Sequence, residues 1–398
     1  MGGWRMTDRQ HALLLLIKSA LTGDSYALPT DFDAANTFAD ARTHGVTALA
    51  YYGALGCGVD ARSDVMRDAF ARVCRELLVG ERQTAELSRL TAALDEHSID
   101  YMPLKGAHLK KLYPKPEMRR MSDADVLVKT EQYDRIRPIM LALGYTEGVE
   151  SDHEYNWQKD STHIELHKRL IPSYNKDYYA YFGDGWRLAK KKEDKGFEYA
   201  MSAEDEMVYI FTHFAKHYRD AGIGVRHLTD LWVYRRTNPS LDEDYVRAEL
   251  EKLQLADFYA NILATLAAWF EDTPFDDTTD FITEFVFASG EFGKKGMSVV
   301  SDALKHKKTG KNAAALKRAK VLHALFTPYD EMCKKYPILK RAPVLLPFVW
   351  CVHFVRRVLT KGKVKTYIGT QLSVTDSDVD AYQKSLNFVG LDFNFGGE

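Results

Sequence analysis

Asp123 and Asp125 stand two apart in the stretch Arg119-Arg-Met-Ser-Asp123-Ala-Asp125-Val-Leu-Val128. The segment Ser122 to Val128 is β-branched and apolar toward its end and reads as a strand. Side chains two apart on a strand share a face, so both carboxylates project together. Two anions that close need a cation or a shared proton. Hard oxygen ligands suit Mg²⁺, or Mn²⁺ in its place, bound by one or two carboxylates plus substrate phosphates. Asp-x-Asp is a short pattern, and two solvated acids at a strand end would read the same way. A third acid follows in His163-Ile-Glu165-Leu-His167. There His163, Glu165 and His167 share one face, and Ile164 and Leu166 take the other. Three carboxylates can hold two metals, one activating the attacking oxygen and one steadying a leaving pyrophosphate.

The elements around these acids must position them. Tyr101-Met-Pro-Leu leads into Lys105 and Gly106, and Ala107-His-Leu-Lys-Lys-Leu112 has helical spacing. Strand, glycine, helix is the arrangement that turns backbone N–H groups and a helix N-terminus toward a phosphate. Lys105, Gly106 and Ala107 are therefore candidate nucleotide-binding residues. Tyr113-Pro-Lys-Pro116 ends that helix. Arg119 and Arg120 come next, and arginine is suited to bidentate phosphate contact. A solvated turn is the plainer reading of that pair.

Leu104-Lys-Gly106, Arg119 through Val128, Gly144-Tyr145 and Glu165-Leu-His167 together resemble the largely uncharacterised bacterial nucleotidyltransferase family of the polymerase-β-like superfamily. The resemblance covers most of the chain. It implies an α+β fold: a small mixed nucleotidyltransferase sheet with helices, flanked by helical N- and C-terminal regions. Residue by residue, it implies that Gly106 is the glycine of the phosphate-binding turn. Asp123 and Asp125 match the metal-binding pair, and Glu165 matches the third acid. Lys216 and His217, on the helix after the core, match the basic residues that reach the triphosphate. Gly106-Ala107 departs from the usual Gly-Ser or Gly-Gly, which weakens one phosphate contact.

The chain as a whole has 398 residues and a formal charge of −2, so it is not globally basic. Residues 1–98 read as helices that buttress the sheet, with a capping pattern at Thr7 and a long amphipathic stretch from Ser63 to His97. Residues 99–200 read as the catalytic core, including a helix Glu131 to Leu143 ended by Gly144. The aromatic-rich part from Tyr174 to Trp186 reads as packing over a neighbour or as an active-site cover. Residues 201–290 read as helices completing the nucleotide cleft, beginning at the cap Ser202. His213 and His217 share a helix face there, with no third zinc ligand in view. Arg226 and Asp230 are spaced for an i, i+4 pair, with lining the nucleotide pocket as the alternative. Residues 291–398 read as a basic, mostly helical region. Within it Lys294 to Lys365 carries eighteen Lys or Arg against three acids, a match for an anionic surface or an RNA end. The apolar run Ala342 to Val355 reads as a core helix, with an anionic membrane surface as the alternative. It is short for a membrane span. The tail Gly396 to Glu398 is expected to fray. Four scattered cysteines without ligand or disulfide spacing fit a reducing, cytoplasmic setting.

Three functions compete on this reading. The first is a Mg²⁺-dependent nucleotidyltransferase that moves an NMP from an NTP to an acceptor with release of pyrophosphate. The acceptor can be a small molecule, an RNA end or a protein. The second is a non-catalytic nucleotide-binding module of the same fold, which Ala107 favours and the third acid disfavours. The third is an Asp-x-Asp glycosyltransferase. The helical residues ahead of the motif argue against it, because such folds place alternating strands there.

Overall fold

The computed structural model describes residues 6–291, 293, 297–308, 326–361 and 375–391. The chain divides into two compact units, Met1–Gly293 with Val389–Asp392, and Lys294–Phe388.

Four helices lead the first unit. Helix α1 (Asp8–Thr22) starts at a reciprocal cap in which Thr7 Oγ1 accepts from the Gln10 amide and Gln10 Oε1 accepts from the Thr7 amide. Its apolar residues Leu13, Leu14, Leu16 and Ile17 are buried. Helices α2 (Ala34–Thr43) and α3 (Thr47–Gly56) follow, and α3 crosses α1 at Gly53. Helix α4 (Asp64–Glu96) is one unbroken run of 33 residues, capped by Ser63.

The sheet has five strands: β1 (Tyr101–Pro103), β2 (Ala124–Val128), β3 (Thr146–Glu147), β4 (Glu154–Lys159) and β5 (Thr162–His167), in the order β1-β2-β5-β4-β3. Only β2 and β5 run parallel. Helix α5 (Lys105–Leu112) joins β1 to β2, and α6 (Tyr133–Ala142) joins β2 to β3. One sheet face carries Ala124, Val126, Val128, Ile164 and Leu166. It packs on Leu90 and Leu94 of α4 and on Ile136, Ile139 and Met140 of α6. Those β-branched and aliphatic residues alternate with Asp125, Glu165 and His167, so the opposite face is polar. This is the mixed α+β architecture with a small helix-backed sheet.

After the sheet come α7 (Lys176–Phe182), the short pair β6 (Lys190–Lys191) and β7 (Tyr199–Ala200), and α8 (Ala203–Asp220), capped by Ser202. Tyr178 and Phe182 of the aromatic stretch are buried, while Tyr174 is exposed. Helices α9 (Val225–Thr237), α10 (Glu243–Lys252), α11 (Ala256–Phe270) and α12 (Asp277–Ser289) close the unit.

The second unit holds α13 (Met297–Lys308) and helices at Tyr329–Lys335, Leu346–Lys361 and Asp376–Phe388. Met332, Cys333, Leu339 and Val349 form a small core there. The run Ala342 to Val355, read as a core helix, is only partly buried. Val349 is inside, but Phe348 is 69% exposed and Val355 51%. Part of the basic segment Lys294 to Lys365, and the tail Gly396 to Glu398, lie outside the described residues. Among the described residues no helix is long and apolar enough to cross a membrane.

The α1–α3 crossing depends on a missing side chain. A Cβ on Gly53 would fall 1.8 Å from the backbone oxygen of Leu16. A backbone atom of a packed helix cannot swing aside as a side-chain tip can. Gly53→Ala should therefore destabilise the protein by about 1–3 kcal/mol, seen as a lower urea midpoint at unchanged slope. An unchanged midpoint would mean that the helices separate without cost.

Candidate functional site

The parallel register of β2 and β5 sets Asp125 opposite Glu165 and Leu127 opposite His167. Both acids thus leave the sheet on the face away from the apolar core. Strand β1 ends at Pro103, and the Leu104 amide donates to the Asp125 carbonyl at 2.9 Å. That bond pins the start of α5 beside the β2 carboxylate. Gly106 lies in the first turn of α5. A Cβ there would meet Met121 Sδ at 3.5 Å, an ordinary contact, so packing alone would accept alanine.

Asp125, Glu165 and His167 form a compact group whose ligand atoms all lie within 4.8 Å of one another. His167 Nε2 is 3.3 Å from Asp125 Oδ1 and 3.6 Å from Glu165 Oε2. Lys105 Nζ is 3.7 Å from Asp125 Oδ2 and 2.8 Å from His213 Nε2. The set offers two carboxylates and an imidazole in a buried cleft, a donor combination that fits a divalent cation.

Charge balance explains how the group survives burial. Burial alone would raise the pKa of Asp125, but Lys105, His167 and Arg119 outweigh it and hold the carboxylate well below its ordinary range. Burial works against a charge on His167, but its hydrogen bonds to Asp125 and Glu165 prevail and raise it to about 9. For Glu165 the hydrogen bond to His167 lowers the pKa. Burial and the charges of Asp125, Asp123 and Glu154 outweigh that bond, and the net shift is upward. Burial lowers Lys105, partly offset by Asp125 and Asp123.

A cleft of about 430 Å³ opens over this group, and most of the residues singled out from the sequence line it. Asp123 stands just ahead of β2. Its Oδ1 accepts from Ser122 Oγ at 2.7 Å, and it lies outside the compact group. Lys216 and His217 reach the cleft from α8. His217 Nε2 is 3.2 Å from His213 Nε2, and burial lowers its pKa to about 3. Ala107 faces a neighbouring cavity of about 390 Å³ and not the cleft.

Arg119 and Arg120 have different fates. Arg119 is buried, and its Nε and Nη2 donate to the two Asp230 oxygens at 2.8 and 3.0 Å. Its Nη1 donates to the Gly106 carbonyl at 3.1 Å, and Tyr113 also donates to Asp230. The arginine read as a phosphate contact is thus occupied in fixing the α5 turn. This network also overturns the expected Arg226–Asp230 pair. Arg226 instead lies 3.3 Å from Glu291, which is 3.9 Å from the exposed Arg120. The i, i+4 spacing failed as a guide because Asp230 points inward toward a long-range partner.

The sequence reading passed over His167 as a site residue, although its alternation with Glu165 put it on the same face. It also missed Glu291, for which no local pattern gives a signal.

A family model described as uncharacterised nucleotidyltransferase matches residues 30–271. The match spans more than half of the chain, and the chain belongs to that family. No curated protein matches. The solved structure of the antibiotic-resistance factor ANT(2'')-Ia is similar at 14% identity, over 49% of this chain and 100% of that one, with a TM-score of 0.33. That likeness is too loose to bear on the site.

Two pH effects follow from the electrostatics. At neutral pH His167 carries a proton that a metal ligand must lose. Mn²⁺ affinity should rise up to about tenfold per pH unit until pH approaches about 9. Calorimetry in buffers of different ionisation enthalpy should show about one proton released, and His167→Gln should abolish the release. Affinity flat from pH 6.5 to 8.5 would remove His167 from the ligand set. Separately, burial lowers His44 to about 4 and holds His213 and His227 well below the ordinary value. The unfolded chain then binds more protons than the folded one below about pH 6.5. Stability should fall as pH drops from about 6.5 toward 4, by up to about 1.4 kcal/mol per unit for each such histidine. Asp125 does not mask this, because its contribution fades only at lower pH. His167 has the opposite sign, and its contribution is lost only as pH rises toward about 9; the upward shifts of Glu165 and Glu76 also oppose the fall toward the acid end of the window, and the buried His217 adds to it. Equal urea midpoints at pH 7 and pH 5 would contradict the neutral histidines.

Proposed function

We propose that the chain is a metal-dependent nucleotidyltransferase that moves an NMP from an NTP to an acceptor hydroxyl, phosphate or amine and releases pyrophosphate. The observation that carries this reading is the compact Asp125–Glu165–His167 group beside the start of α5. Family membership supports the reaction class, and an NTP is the substrate it implies.

Asp125 and Glu165, with Asp123 from the approach to β2, are the carboxylates that would hold Mg²⁺. With His167 as a nitrogen donor the set suits Mn²⁺ at least as well. Bound there, such an ion supplies Lewis acidity toward the α-phosphate and neutralises charge on the departing pyrophosphate. The backbone of the α5 turn at Lys105 and Gly106 receives phosphate oxygens, favoured by the helix N-terminus. Lys216 and His217 line the same cleft, and with Arg120, which lines the adjoining cavity, they are the candidates to meet the triphosphate tail. Glu165 is the group placed to take the proton of the attacking acceptor. Because Ala107 does not face the cleft, the lost hydroxyl is no argument for an inactive module.

The test is a binding panel of the four NTPs on the full chain, with and without Mg²⁺ or Mn²⁺, in wild type and Asp125→Asn. One NTP should bind in a metal-dependent way, and Asp125→Asn should weaken it at least about tenfold. Gly106→Ala should keep its thermal stability yet weaken the same NTP, since the added methyl crowds the turn. Nucleotide binding that ignores both metal and Asp125 would sink the transferase reading.

A further inference from the structure

A third cavity, of about 320 Å³, lies between α4, the end of α2 and the Arg119–Met121 segment. Arg119 and Met121 line both this cavity and the carboxylate cleft, so the two are neighbours. Six cationic side chains line it, Arg42, Arg72, Arg75, Lys110, Arg119 and Arg120, against the carboxylates Glu76 and Glu117. Some of these charges are matched elsewhere. Arg119 is held by Asp230, Arg72 by Asp68 and Arg120 loosely by Glu291. Glu117 accepts from Tyr52.

Lys110 is different. Its side chain is buried, 6% exposed, and has no hydrogen bond or ion pair among the described residues. Its Nζ enters a notch in α4 at Gly80, where a Cβ would fall 2.3 Å from that nitrogen. A glycine inside a helix costs about 1 kcal/mol relative to alanine. Burial of the ammonium is itself unfavourable, and only the more distant charges of Glu81 and Glu117 offset it. Both costs fall at one point of the cavity wall. A second orphan stands beside them: Gln83 donates its Nε2 to the Ser122 carbonyl at 3.2 Å, and its buried Oε1 has no partner. The cavity thus presents a cation without a contact ion pair and an acceptor without a donor. Arg42 and Arg75 on its wall make no contact ion pair or side-chain hydrogen bond among the described residues, though the charges of Glu76 and Asp68 act on them from farther off.

We propose that this cavity binds a phosphoryl group, with Lys110 at its base and Arg42, Arg75 and Arg120 around it, and that Gln83 accepts from a hydroxyl of the same ligand. A phosphate dianion matches the ammonium and the guanidinium forks. A neighbouring hydroxyl satisfies Gln83 Oε1. On the transferase reading, which this assignment of substrate rests on, two sources supply that chemistry: a phosphorylated polyol or sugar as acceptor, and the terminal phosphate of the NTP.

The probe is inorganic phosphate, titrated without metal into the full chain at constant ionic strength and followed by calorimetry and thermal shift. Wild type should bind and be stabilised, while Lys110→Met should weaken binding by about tenfold or more. The exposed pair Arg42→Gln/Arg75→Gln should weaken it several-fold, and it decides the matter should Lys110→Met fail to fold. No phosphate binding by wild type, or equal binding in every folded variant, overturns the site. The source is read from the metal-loaded NTP. Unchanged NTP affinity in the variants, with phosphate and NTP bound together, assigns the group to the acceptor. Parallel loss of both assigns it to the donor. Asp123→Asn/Asp125→Asn should keep phosphate binding in either case, so failure of the transferase reading would leave this site standing and separately visible.

Discussion

Two carboxylates on adjacent parallel strands repel each other, and much of the first unit answers that repulsion. The β2–β5 register forces Asp125 and Glu165 side by side, because one strand cannot slip by a single residue without turning its apolar set out of the core. The core on one face therefore dictates the charge problem on the other. Lys105 and His167 answer it by standing against Asp125. Their positive charges are what lets the two carboxylates stand side by side in a buried place.

The same logic extends outward through Arg119. Its guanidinium ties the Gly106 carbonyl to Asp230 of α9, and Tyr113 adds a hydrogen bond to the same acid. The stretch from Gly106 to Arg119 is thereby tied to α9, 111 positions beyond Arg119. Buried ion pairs of this kind add little net stability, because desolvation offsets the attraction, but they are costly to leave half-made. Their effect is geometric: they hold the α5 turn in a single position relative to the carboxylates.

Much of this was legible in the residues. The period-two alternation around Asp125 and Glu165 marked the strands and their polar face. Thr7 with Gln10, and Ser202, marked helix starts that the structure places there. What was not legible was long-range. Asp230 could be assigned a partner from its spacing to Arg226, yet burial gave it to Arg119, 111 positions away. His167 was passed over because metal-ligand reasoning favoured oxygen donors. Lys110 looked like one more lysine on a short helix, since nothing local reveals that its tip meets Gly80 of another helix. The apolar run near Val349 had the composition of a core helix, but composition does not say how much of a helix its neighbours cover.

Helix α4 acts as a ruler between two places. Leu90 and Leu94 are seated in the sheet core, while Gly80 and Gln83 form the cavity wall and Arg72 and Arg75 reach its edge. Each residue of an α-helix advances about 1.5 Å and turns about 100°. An insertion of one residue between Gln83 and Leu90 would swing the notch at Gly80 away from Lys110 while leaving both stretches helical. Related chains can thus vary freely in length at the ends of α4, but within it they must change by whole turns or rebuild the cavity.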